Sequence, residues 1–131
     1  MPDEEKSLQP FIQIFQFIRD DSRSGRVLST VRIGDVYMSR MVIEPGVVIG
    51  NFYHKETYIM LYVEYGSVLI GLEHIETKER KEIQFRPGED VIHISPLVAR
   101  SIKNVGLDEA VIVFFSNKKL RSEDKYEYTV F

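Results

Sequence analysis

The 131-residue sequence contains no cysteine, which excludes disulfides, thiolate metal sites and a cysteine nucleophile and accords with a reducing compartment. It also lacks any apolar run approaching the length of a membrane span. The opening MPDEEKSLQP is acidic and polar where a secretory leader would be basic and then apolar. A cytoplasmic protein with no membrane partner is therefore expected. Nor is there a basic excess, because 17 lysines and arginines stand against 20 aspartates and glutamates, for a formal charge of -3. With no surplus of cations to neutralise a phosphate backbone, no nucleic-acid partner is expected. Repeats, low-complexity stretches and interdomain linkers are missing too. The chain reads as a single domain over 1–131, with 1–9 as a flexible N-terminus and 117–131 as a polar C-terminal segment.

What the sequence does have is short segments rich in Val, Ile, Phe and Tyr, separated by turn residues at spacings of roughly ten, the pattern of an all-β sandwich or barrel. Strands are expected at 11–18, 26–32, 35–43, 47–53, 58–63, 67–75, 81–85, 90–94, 99–104 and 110–116. The punctuation between them includes Glu44-Pro45-Gly46, Gly66, Arg86-Pro87-Gly88-Glu89 and Ser95-Pro96. The first segment also satisfies a helical spacing through Phe11, Ile14, Phe15 and Ile18. Its many Phe and Ile residues favour a strand. An apolar strand of this kind at a sheet edge invites pairing with a second copy, so a homodimer is expected.

Two blocks then carry a resemblance. The span PGVVIGNFYHKETYIMLYVEYGSV, from Pro45 to Val68, resembles the first signature of the cupin superfamily: a Pro-Gly turn, two spaced histidines, an acid, and a glycine ending the next strand. RPGEDVIHISPLVARSIKN, from Arg86 to Asn104, resembles the second signature. The resemblance implies a jelly-roll barrel, the cupin-type double-stranded β-helix. It also implies where a metal would sit in metal-bearing members, and there this chain departs from the pattern. The first histidine is replaced by Phe52, the second is His54, the acid falls at Tyr58 or Ile59, and the last histidine is Arg100. Neither Phe nor Ile donates to a metal, and a fixed cation at a ligand position repels one. No metal and no cofactor are expected. A non-standard ligand set could arise only if His93 and Glu64 or His74 turned inward.

Within the superfamily, the chain is most similar to the sugar-nucleotide branch, dTDP-4-dehydrorhamnose 3,5-epimerase and dTDP-sugar 3,4-ketoisomerases. The similarity rests on the turn from Asp20 to Leu28, the block Gly50 to Lys55, the gap from His54 to Gly66, and the closing segment around Ser122 to Tyr126. It implies metal-independent epimerisation or ketoisomerisation of a nucleotide-linked keto sugar by proton transfer, in surface polysaccharide synthesis. His54 would then be the base and Tyr62 the group returning a proton. Arg40, Asn51, Phe52, Tyr58, His93 and Arg100 would hold the substrate. The plainer alternative is a cupin that binds a carbohydrate or small anion without turnover. Arg100 could equally pair with Glu64 or Glu89 as a structural ion pair.

Overall fold

The computed structural model describes residues 11–119 and 123–131. The flexible terminus expected over 1–9 lies outside the described residues, as does Ser122. Eleven strands follow one another: β1 (Ile18–Asp20), β2 (Arg26–Ile33), β3 (Val36–Ile43), β4 (Val48–Tyr53), β5 (Ile59–Tyr65), β6 (Val68–His74), β7 (Arg80–Phe85), β8 (Ile92–Ile94), β9 (Val98–Asn104), β10 (Ala110–Ser116) and β11 (Tyr126–Glu127). They form a six-stranded sheet in the order β1-β2-β3-β10-β5-β8 and a five-stranded sheet in the order β11-β4-β9-β6-β7. The pairings are antiparallel. Among the described residues there is no helix, and so none long and apolar enough to cross a membrane.

The two sheets close on one core because alternate residues of each strand face inward. Ile59, Leu61 and Val63 of β5 meet Ile112 and Phe114 of β10, while Val68, Ile70 and Ile102 come from the opposing sheet. Each fully buried side chain of this kind contributes about 1.5–3 kcal/mol. The same alternation fixes what cannot face inward. Tyr62 and Arg40, both paired in register with Val113, lie on the outer face of the six-stranded sheet.

The N-terminal strand expected at 11–18 is corrected by the structure. Only Ile18–Asp20 pairs, with β2, and the residues before it form no ladder. Phe11, Ile14 and Ile18 are 97%, 87% and 73% exposed. Apolar alternation there supplies the side chains of a strand but no partner edge among the described residues. At the other terminus, β11 is a strand that the sequence did not announce. Two residues of it pair with β4, bringing the end of the chain back across the barrel.

Candidate functional site

The site is built where β4 crosses β9. Their register slips between Gly50 and Phe52, and the bulge rests on Gly50 (φ 101°) and Asn51 (φ 64°). Glycine is required here, since a Cβ at position 50 would come within 2.8 Å of the Arg100 carbonyl oxygen. The bulge sends neighbouring side chains in different directions. Asn51 serves the C-terminus: its Oδ1 accepts hydrogen bonds from the amides of Val130 (2.7 Å) and Phe131 (3.1 Å), and its Nδ2 donates to the Phe131 carbonyl. Asn51, expected to hold substrate, is thus engaged with the end of the chain. Phe52 instead lines a cavity of about 40 Å³ between the sheets, opposite its register partner Arg100.

That cavity has apolar walls from Leu28, Met41, Ile49, Ile102 and Phe114, and cationic ones from Arg23, Arg26, Arg100 and Lys125. Its volume suits a few waters or one small oxyanion and nothing larger. Arg26 is held by the carbonyl oxygen of Asp20 (3.1 Å) and lies 3.9 Å from its carboxylate. Arg100 has no such compensation. It is 3% exposed, no acid among the described residues pairs with it, and its Nη1 is buried without a hydrogen-bond partner. Glu64, the acid that could have neutralised it, pairs with Arg40 on the outer face at 3.3 Å. The guanidinium lies 4.5 Å over the Phe52 ring, and the Lys125 ammonium lies 4.4 Å over the same ring. Burial pulls the Arg100 pKa well below its usual value, to about 9, so it stays charged at neutral pH.

His54 stands behind this wall. It is 3% exposed, packs edge-on to Phe52 with ring centroids 5.3 Å apart, and is not among the residues lining the cavity. Burial first, and then the Arg100 charge, lower its pKa, so the ring is neutral at pH 7. Its Nδ1 donates to the Asp124 carbonyl oxygen. The other nitrogen, Nε2, is therefore the lone-pair acceptor, and it is buried without a partner. Asp124 is the fastener of the returning tail. Its carboxylate accepts from the amides of Lys55 (2.9 Å) and Glu56 (2.8 Å) and from the Thr57 hydroxyl (2.8 Å). Burial alone would raise the Asp124 pKa, but these three donors outweigh it and hold the carboxyl down at about 2.

The other residues expected at the site are not brought to His54. Tyr62 and Arg40 face outward, as their strand phase requires. Tyr58 and His93 stack on each other at 5.8 Å beside Met60 and Phe115, also on the outer side of the six-stranded sheet. His74 caps its own turn, its Nδ1 accepting from the amides of Glu76 and Thr77. The implied metal position is thus surrounded by Phe52, His54 and Arg100, and no group of three His, Asp or Glu among the described residues could hold an ion. One imidazole beside a cation does not fit a divalent metal. Four residues escaped the sequence reading as site residues: Arg23, Arg26, Asp124 and Lys125. Arg26 was within reach, because it sits two positions before the core residue Leu28 and so shares its inward face. Nothing in the sequence signals that Asp124 folds onto His54.

A model of the polysaccharide biosynthesis C-terminal domain matches residues 20–128. No curated protein is detectably similar in sequence. Among solved structures, the capsular polysaccharide assembling protein CapF from Staphylococcus aureus superposes with a TM-score of 0.76 at 21% identity, covering 92% of this chain and 36% of that one. The chain thus spans about a third of CapF. A recombinant oxalate oxidase in complex with glycolate gives 0.65 at 20% identity, over 75% of this chain and 53% of that one. Oxalate decarboxylase from B. subtilis gives 0.72 at 14% identity, over 91% and 33%. These likenesses show the fold, which is the cupin jelly roll.

Proposed function

Starting from the fact that the chain belongs to the polysaccharide biosynthesis C-terminal domain family, we propose that it is an anion-binding cupin module of polysaccharide biosynthesis. It holds a phosphate or carboxylate group of a saccharide ligand at Arg100. The observation that carries this reading is the buried Arg100 guanidinium, charged, without an acid partner among the described residues, and set in the wall of a cavity of oxyanion size. An uncompensated buried cation is costly, and a bound anion offsets that cost with charge-assisted hydrogen bonds. Calorimetric titration with inorganic phosphate and with galacturonate tests it. Arg100→Gln should weaken both by about tenfold or more; equal affinities for variant and parent would remove Arg100 from the site.

His54 favours a second reading, proton transfer on a nucleotide-linked keto sugar without a metal, since it is neutral and has a free Nε2. Against it stand the placement of His54 outside the cavity lining and of Tyr62 on the outer face. Incubation with keto sugar nucleotides in deuterated water distinguishes the two. Label at the carbon beside the ketone, lost in His54→Ala, would establish the enzyme; the binding module gives none.

We also propose that a second copy covers the apolar stretch from Phe11 to Ile18, whose exposure would otherwise invite aggregation. Light scattering should show a dimer, and Ile14→Asp with Phe15→Asp should give monomers. A parent protein that is monomeric at high concentration contradicts this.

A further inference from the structure

The small cavity is the innermost of three that lie in a row along β2 and β3 and outline a trough. Along β2 the inward row reads Arg26, Leu28, Thr30, Arg32, and its register partners on β3 continue it through Met41, Ser39 and Tyr37. Leu28 lines both the inner cavity and a second cavity of about 210 Å³. That second cavity shares Arg32, Tyr37 and Lys119 with a third of about 300 Å³. The three cavities thus lie side by side from Arg100 to the mouth, each sharing lining residues with the next. Six residues of extended strand separate Arg26 from Arg32, a reach of about 20 Å.

The lining changes in character along this length. Cations gather at both ends, with Arg23, Arg26, Arg100 and Lys125 inside and Arg32 and Lys119 outside. Among the described residues only two carboxylates join them, Asp20 and Asp35. Such a surplus is local, since the whole chain carries a formal charge of -3. Between the ends lie the Thr30 hydroxyl and an aromatic ring. Thr30 lines the space, with the Oγ of the fully buried Ser39 3.2 Å from its Oγ1, and the Tyr37 ring carries the Arg32 guanidinium 5.4 Å from its centre. Hydroxyl partners and a ring face suit the polar edges and apolar faces of sugars. Two cationic centres so far apart cannot both be met by a diphosphate, whose phosphorus atoms share one bridging oxygen. They can be met by acid groups on different sugars of one chain.

We propose that this trough binds an acidic saccharide chain several sugar units long, with one carboxylate seated at Arg100 and another at Arg32 and Lys119. The inner half of this site rests on the anion-binding function proposed above; the outer half does not.

Calorimetry with galacturonate, tetragalacturonate and neutral maltotetraose tests the two halves separately. Tetragalacturonate should bind about tenfold tighter than galacturonate or better, and maltotetraose should not bind measurably. Arg32→Ala combined with Lys119→Ala should erase the advantage of the tetramer; both side chains are exposed, so the fold is not at stake. Arg100→Gln should weaken both ligands. Equal affinity for monomer and tetramer overturns the extended site, as does indifference to the double substitution or tighter binding of a nucleotide sugar through Arg32. If galacturonate binding still depends on Arg100 in those cases, the anion-binding function stands without the trough. Binding of neither acid brings down both.

Discussion

Replacing Arg100 with methionine is expected to make the ligand-free protein more stable by about 1–4 kcal/mol, the range seen when buried ionic groups give way to apolar ones of similar volume. The same substitution should abolish anion binding. Two features drive the gain. The guanidinium is desolvated without an acid partner among the described residues, and an unbranched thioether fills its place beside Phe52, Ile102 and Phe114 without leaving a void. The sign of the pH dependence follows from the depressed pKa. The penalty of the folded cation is fully present below about pH 9 and is relieved as the pH rises above it, because the folded form then loses its proton while the unfolded chain keeps it. The advantage of Arg100→Met should accordingly be level from neutral pH to about 9 and shrink beyond. Thermal melts with and without phosphate would show a parent whose Tm rises with ligand and a variant that starts higher and does not respond. A variant less stable than the parent would mean that the protein itself satisfies Arg100, leaving no reason for an anion to bind.

Phe52→His combined with Arg100→His is expected to create a divalent metal site where the parent has no donor set for one. Positions 52 and 100 are register partners, which places their Cβ atoms about 4.5–5.5 Å apart. His54 lies beside them, with Nδ1 already donating to a backbone carbonyl oxygen and Nε2 free. That is the arrangement in which a histidine binds a metal, the second nitrogen fixed by a carbonyl and the first presented to the ion. Three imidazoles suffice for zinc or nickel. Calorimetry should find one ion per chain with micromolar affinity in the double variant, and His54→Ala in that background should remove it. A folded double variant that takes up no ion would show that these positions do not surround a common point.

The strand plan was legible because period-two alternation and Gly or Pro punctuation recur along the chain. β10 is found over Ala110–Ser116 as expected, and β2 through β9 begin or end within two residues of expectation. Phe11 to Phe17 shows why alternation is insufficient: it describes a face, and a strand also needs an edge to bond with. β11 is too short and polar to carry any pattern. At the site, the same alternation could have removed Tyr62, since Leu61 and Val63 on either side of it claim the core. Asn51 was beyond such reasoning, because the bulge at Gly50 breaks the phase there.

By itself the sequence determined a two-sheet barrel and marked Phe52, His54 and Arg100 as the positions where metal donors would otherwise stand, since both depend on spacing along the chain. Only the tertiary structure decided that Arg100 meets no acid among the described residues, that His54 is shut behind Phe52, and that the tail returns to fasten itself through Asp124. These depend on which groups meet through space: the carbonyl that holds His54 lies 70 residues away in sequence, and no local pattern records such a meeting.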